Sequence, residues 1–381
     1  MKKIFLAVGD LSGDIHCGLL VKELLNRHPD WKIGALAGSN VGKNGAEIIG
    51  DTSGLGVIGF VSALMTVPRS LKLKEAAIRW IDREKPDIAV LCDWGGFNTR
   101  FIPELKKRGI PIFYYFPPRS WQKTGNGGLQ IASDCQKIAT PFEWSATRLQ
   151  SVGSDATWVG HPILETLNKL NSRETLRREF GIADNEKLLA LLPGSRSLEL
   201  KYIAPHVVDA VRLLKQDAIS SNLKVMVASA PENETRVRKI FGEDTKIVVN
   251  RSLELLRACD AAIVKSGTST LEAAAADAPQ IVVYNAPAIV RAQFELTGMR
   301  KKVPFIAMPN IIAGHEVVPE LVGPPECGAQ SIYTSIRELL ESGPKIAKMR
   351  EEYALVREAL GKSLPYTATP KTADLIEEML V

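Results

Sequence analysis

A repeated alternation limits the fold more than any other feature of the chain. Short apolar, β-rich runs end in small-residue loops, and helix-length stretches follow them. Residues 4–8 read as a strand, and 13–26 as a helix with Leu19, Leu20, Leu24 and Leu25 at helical spacing. Strands follow at 32–37, 88–92, 112–116 and 137–140, with helices near 76–84 and 102–108. The pattern pauses near 160–162 and resumes after a helix at 172–179. Strands at 188–192, 224–228, 246–249, 261–264 and 280–284 then alternate with helices near 203–215, 232–241 and 253–257, and another helix opens at Ser269. A βαβα order of this kind predicts α/β architecture with doubly wound parallel sheets, one per half. The expected domains are 1–162 and 163–344. A tail from about 345 to 381, two helices around an irregular stretch at 361–369, is expected to pack back on the first domain.

The length of 381 residues supports two domains. With 45% hydrophobic and 24% charged residues, the composition is that of a soluble globular protein. The net charge of +5 suits an anionic substrate or membrane surface. It is too dispersed to indicate nucleic acid, and there is neither a zinc-type Cys/His spacing nor a long basic run. Cys17, Cys92, Cys135, Cys259 and Cys327 are widely spaced and read as reduced, mostly buried thiols. A first strand starting at residue 4 and no apolar run near 18 residues predict a cytosolic protein, with peripheral membrane contact left open.

Open parallel sheets place ligands at the carboxyl ends of their strands, so a cleft between the two halves is the natural site. Six segments fall at such positions: GDLSGD (9–14), CDWGGFN (92–98), GHP (160–162), LPGSRSLE (192–199), KSGTSTLE (265–272) and MPNIIAGHEVVPEL (308–321). Taken singly, each has a plain structural explanation. Ser12 or Asp14 would cap a helix, His161 would be a packed linker residue, and Asp260 and Asp277 would be solvated or capping. Their joint occurrence at equivalent strand ends favours function. In the second half, Gly267 permits close backbone approach, and Ser266, Thr268 and Ser269 add donors at a helix start suited to a diphosphate. Glu272 is placed to accept hydrogen bonds from a ribose diol. Gly194, Ser195 and Arg196 form a second turn with a planar cation suited to phosphate and to charge on a departing nucleotide diphosphate. In the first half, Asp93 is the carboxylate best placed to take a proton from an attacking hydroxyl. Neither a Walker-type loop nor G-x-G-x-x-G follows the first strand, which argues against a kinase or nicotinamide dehydrogenase.

VGDLSGD, KPDIAVLCD (85–93), VGHP (159–162), LLPGSR, SGTSTLE and PNIIAGHEVVPEL together resemble the lipid-A-disaccharide synthase family, from the first strand to about Leu321. The resemblance implies an inverting glycosyltransferase of the GT-B fold, two Rossmann-like domains facing across a cleft. Its reaction moves 2,3-diacylglucosamine from UDP to the 6-hydroxyl of 2,3-diacylglucosamine 1-phosphate, forming a β-1,6 disaccharide. By the same resemblance the second half holds the UDP-sugar and the first faces the lipid-linked acceptor. Asp93 matches the general base, with Ser12 and Asp10 in the N-terminal motif. Arg196, Glu272 and Asn310 match nucleotide-sugar-site residues, and Glu316 matches more weakly. No metal or redox cofactor is implied, the UDP-sugar being a substrate. Acylated substrates imply peripheral association with the inner membrane, for which 58–74 offers Phe60, Val61, Leu64, Met65 and Leu71 beside Arg69, Lys72 and Lys74. A core-facing helix broken by Pro68 is the competing explanation of that segment. A homodimer is suggested by analogy.

Three departures fall in the first half. Asp10 stands where the family favours glutamate, and Gly96 stands where it has a second acid. Pro-Arg-Ser-Trp-Gln-Lys at 118–123 lacks a second tryptophan. The acid lost at Gly96 leaves a non-catalytic paralogue that binds UDP-sugar or lipid as one alternative. An enzyme like UDP-N-acetylglucosamine 2-epimerase, which shares the fold and the nucleotide half, is the other, and GDLSGD and PNIIAGHE both argue against it.

Overall fold

The computed structural model describes residues 1–53, 60–118, 132–291 and 304–381, with the side chains of 60–67 and 219–220 excepted. The chain divides into two compact units, Met1–Pro162 with Leu360–Val381, and Ile163–Ala359.

In the first unit, β1 (Lys3–Val8) leads into α1 (Leu11–Arg27), β2 (Lys32–Ala37), α2 (Ser39–Lys43), β3 (Glu47–Asp51), α3 (Phe60–Glu84), β4 (Ile88–Cys92), α4 (Gly95–Lys106), β5 (Ile112–Tyr115), β6 (Lys137–Thr140) and β7 (Ala156–Trp158). These strands form one parallel sheet in the order β3-β2-β1-β4-β5-β6-β7. Alternate residues of each strand serve opposite faces, as the pleat requires. Ile4, Leu6, Val8, Val90 and Cys92 pack with Cys17, Leu20 and Leu24 of α1. Phe5, Ala7, Ala89 and Leu91 pack with Trp80 and Ile81 of α3 and Phe101 and Leu105 of α4.

The second unit repeats the design. Its strands are β8 (Lys187–Leu192), β9 (Leu223–Ser229), β10 (Lys246–Val249), β11 (Ala261–Lys265), β12 (Gln280–Tyr284) and β13 (Glu320–Val322). They form a parallel sheet in the order β10-β9-β8-β11-β12-β13. Both orders follow the Rossmann pattern, in which the winding reverses beside the first strand. That switch point lies between β1 and β4 in one unit and between β8 and β11 in the other.

Several elements escaped the sequence pattern. The edge strands β3, β7 and β13 are short or half-exposed and carry no long apolar run. The break at Pro68 that the competing explanation of 58–74 invoked does not occur, since α3 runs through it from Phe60 to Glu84. Only the last helix of the tail, Ala368–Glu378, joins the first unit, where Arg27 of α1 pairs with Asp374 at 2.7 Å and with Glu377 at 3.2 Å. The preceding helix, Gly343–Ala359, stays with the second unit, contrary to expectation. It buries Met349, Tyr353 and Val356, and its Arg350 and Arg357 pair with Asp277 at 3.2 and 2.9 Å. Asp277 is therefore a partly solvated ion-pair hub. Asp260 is another, accepting from Arg173, Arg177 and the Leu188 amide.

The VGHP segment meets the tail. The His161 amide donates to the Leu360 carbonyl at 2.8 Å, and a Cβ on Gly361 would lie 2.9 Å from the Gly160 Cα. All five cysteines are free and buried. Among the described residues no helix is long and apolar enough to cross a membrane. The side chains of Phe60, Val61, Leu64 and Met65, and residues 119–123 of the altered tryptophan motif, lie outside what is described.

Candidate active site

Register brings the first group together. Val8 pairs with Cys92, so Asp10 and Asp93 leave neighbouring strands at the switch point. Asp10 is the N-cap of α1, and its carboxylate accepts the Gly13 amide at 2.8 Å and the Ser12 hydroxyl at 2.9 Å. The capping role thus falls to Asp10, and Ser12 anchors it. Asp14 caps a different helix. It is buried, and its carboxylate accepts the amides of Gly38 and Asn40 at 2.7 and 2.9 Å, which ties α1 to the start of α2.

Asp93 and Trp94 both lie in the left-handed region, with φ of 43° and 44°, and Phe116 after β5 has φ of 55°. Consecutive non-glycine residues there are strained and need outside support. Asp93 has it: its amide donates to the carbonyls of Tyr115 and Phe116, both at 3.2 Å. Its carbonyl accepts the Tyr114 hydroxyl at 2.5 Å and the Asn98 side-chain amide at 3.0 Å. The Trp94 ring packs on Gly9, where a Cβ would come within 2.2 Å of it, and stacks on Phe97 at 4.0 Å between centroids. A Cβ on Gly96 would meet nothing within 4 Å, so the missing second acid leaves open space.

The carboxyl of Asp93 is half-buried. Burial, with the charge of Asp10 adding to it, pushes its pKa up to about 7, against the pull of the Trp94 amide. A carboxylate poised there can accept a proton near neutral pH. Behind it lies a buried aromatic cluster. His16 stacks on Phe116 at 5.2 Å and meets His161 edge-on at 5.0 Å. Burial lowers the pKa of His16 to about 4, and that of His161 falls well below the usual range, so both rings are neutral. His161 is a packed residue, as expected of it in isolation.

The second group lies at the ends of β8 and β11. Gly194 has φ of 118° and Gly267 has φ of 131°, conformations that favour glycine. The amides of Ser195 and Arg196 donate to Glu199 at 3.0 and 3.1 Å. Thr268 and Ser269 open the helix Thr268–Ala275, whose first amides have no partner within the helix. Ser266 differs from expectation. Its amide donates to the Val283 carbonyl and its hydroxyl to the Ile306 carbonyl at 3.0 Å, so it braces the loop. Burial raises the Glu272 pKa to about 7, with Lys265 opposing.

Asn310 differs as well. It is fully buried, and its side-chain amide donates to the Val318 carbonyl at 2.9 Å and to Glu320 at 2.8 Å. Its side-chain oxygen accepts the amides of Val317 and Val318. That fills the hydrogen-bonding capacity of the group, so the expected contact with sugar or diphosphate has no free atom to make it. Glu320 also accepts the amides of Ile306 and Ala307. The motif at 308–321 therefore has an internal structural reason for its composition. Glu316 is exposed on the same loop.

Glu199, Lys265 and Tyr284 belong to this group and escaped the sequence reading. Lys265 Nζ lies 2.9 Å from Glu199, and the Tyr284 hydroxyl is pushed up by burial and by the Glu199 charge, with Arg196 opposing. Asn98 and Tyr114 were missed in the first group. Lys265, Tyr284 and Tyr114 carry no spacing signal because they act across strands, whereas Glu199 stands at the third helical position, where its spacing from Arg196 could have marked it as a capping residue.

The comparisons with known proteins extend over both units. The family model for lipid-A-disaccharide synthetase matches residues 4–370. The lipid-A-disaccharide synthase of Persephonella marina is 30% identical, covering 100% of this chain and 99% of its own length. That of Myxococcus xanthus is 29% identical, covering 99% and 97%. Among solved structures, the UDP complex of Staphylococcus aureus MnaA has a TM-score of 0.64 at 15% identity, covering 100% of this chain and 97% of its own. Acinetobacter baumannii MurG has a TM-score of 0.56 at 14% identity, covering 99% and 100%. At such identities these two show the fold alone, the α/β two-domain fold of GT-B proteins. The sequence match over nearly the whole length goes further, and the chain belongs to the lipid-A-disaccharide synthase family.

Proposed function

We propose that this protein is an inverting, UDP-dependent glycosyltransferase that joins two acylated glucosamines. The donor is UDP-2,3-diacylglucosamine and the acceptor is 2,3-diacylglucosamine 1-phosphate. The acceptor 6-hydroxyl attacks the donor anomeric carbon, the bond to UDP breaks with inversion, and a β-1,6 bond forms. The observation that carries this reading is Asp93, a supported, strained carboxyl with a pKa of about 7 at a switch point, in a chain of this family.

Asp93 takes the proton from the attacking hydroxyl, and burial, with the charge of Asp10 (held by Ser12) adding to it, keeps the Asp93 pKa high enough for that task. Arg196 and the amides of Thr268 and Ser269 meet the negative charge on departing UDP. Gly194 and Gly267 let the backbone approach the diphosphate, and Ser195 lies on the same turn. Glu272 receives the ribose, and Glu316 lies on the sugar side. Ser266 and Asn310 act by shaping the loops. The protein meets its lipid substrates peripherally at the inner-membrane surface.

One assay with three possible outcomes tests the reading. Purified protein is incubated with UDP-2,3-diacylglucosamine, with and without the monosaccharide 1-phosphate, and UDP and lipid products are followed. Acceptor-dependent disaccharide is the expected result. Free or epimerised sugar without acceptor would favour an epimerase, whose likeness to this chain is one of fold. UDP binding without product would favour the non-catalytic paralogue.

A further inference from the structure

Glu199 is a buried carboxylate to which the reaction above gives no task. One of its oxygens accepts the Ser195 amide at 3.0 Å and the Arg196 amide at 3.1 Å. The other lies 2.9 Å from Lys265 Nζ and 3.5 Å from an Arg196 guanidinium nitrogen. Side-chain exposures of 10% for Glu199 and 14% for Lys265 shield the pair from water. The loop is shaped around this carboxylate, since a Cβ on Gly194 would lie 2.6 Å from it.

Helix capping accounts for only part of the arrangement. A glutamate three residues into a helix commonly reaches back to the N-cap amide, which explains the Arg196 contact. It does not explain Lys265, which arrives from the end of β11, or the Ser195 amide. Two backbone amides, an ammonium and a guanidinium converging on two oxygens are the donors a phosphate selects.

We propose, on the reading that this unit binds UDP, that Glu199 is an internal competitor for the phosphate donors. It engages Lys265, Arg196 and the Ser195 amide when the site is empty, and so limits affinity for the UDP product and speeds its departure. Neutralising Glu199 at constant shape leaves Lys265 without its counter-ion beside the diphosphate. An enzyme that holds its product too tightly loses turnover, so a carboxylate at this point exchanges affinity for rate.

UDP titration calorimetry on the full chain, with steady-state kinetics and thermal melting, tests the proposal. Glu199→Gln should bind UDP about tenfold more tightly, with kcat and the donor KM falling together. Lys265→Met, which leaves the carboxylate unneutralised, should bind about tenfold more weakly. Adding Glu199→Gln to Lys265→Met should recover affinity relative to Lys265→Met alone. That last comparison decides the matter even where Glu199→Gln by itself does not fold. Weaker or unchanged UDP binding on removal of the Glu199 charge, in either background, would reduce it to a helix cap and overturn the proposal. Wild-type protein that does not bind UDP would overturn the functional reading first, before any variant is compared.

Discussion

Asp10 and Asp93 leave neighbouring strands of one sheet as two carboxyls whose charges are coupled, and Asp10 helps hold Asp93 near a pKa of 7. A general base works only when deprotonated, so the acid limb of the kcat/KM profile should fall near that value. Asp10→Asn removes one cause of the rise and should move the limb to lower pH. An unmoved limb would show that Asp10 does not tune the base.

The same shift bears on stability. The Asp93 pKa is raised above its unfolded value, so its contribution is fully present below about pH 4 and is lost as pH rises through about 7. Asp93→Asn removes this loss. The variant should be more stable than the parent at pH 8, by about 1–3 kcal/mol at most for a half-buried group, with the advantage shrinking toward pH 5. It should lack transferase activity while binding UDP normally. Denaturant unfolding at the two pH values and UDP titration check both parts, and full activity in Asp93→Asn would remove it as the base.

Tyr114 acts on Asp93 through its backbone. Its hydroxyl donates to the Asp93 carbonyl at 2.5 Å and helps hold a left-handed residue. Tyr114→Phe keeps the ring and loses that bond. kcat should fall about tenfold with UDP affinity unchanged, since a small displacement of a catalytic carboxylate is costly. A loss of UDP binding instead would show that the variant perturbs more than this turn.

Much of this architecture was legible because the strands that carry the sites are central ones, buried on both faces and therefore written as continuous apolar runs. The strand-end loops were legible because glycines and hydroxyl residues interrupt those runs abruptly. Partners supplied from elsewhere were not. Asn98 lies on a helix face, Tyr114 inside a strand and Glu199 within a short helix, and each matters only through a fold-dependent approach. Asn310 shows the reverse failure: a polar residue in a distinctive motif reads as a ligand contact until its amide is found saturated by its own loop.

That saturation makes a prediction of its own. Asn310 and Glu320 together hold the segments around Ile306 and Val318. Asn310→Ala leaves buried amides and a carbonyl without partners, so the protein should lose about 2–4 kcal/mol of stability. Denaturant unfolding measures this. At a temperature where the variant remains folded, its UDP affinity should stay within about threefold of the parent, because no Asn310 atom faces ligand. A large loss of UDP affinity in a stable Asn310→Ala protein would return the residue to the binding site.

Gly9 and Trp94 supply the last test. The Trp94 ring lies where a Cβ on Gly9 would stand, at 2.2 Å, and it is stacked on Phe97. Gly9→Ala therefore forces the indole away, and the strained turn that carries Asp93 moves with it. The variant should lose transferase activity by at least about tenfold, and overpacking should cost about 1–3 kcal/mol of stability. Pairing it with Trp94→Ala removes the collision, and the double variant should regain part of the activity lost in Gly9→Ala alone. The measurement is a double-mutant cycle on kcat. Additive losses in that cycle would mean that Gly9 and Trp94 act independently and that the glycine serves only the turn into α1.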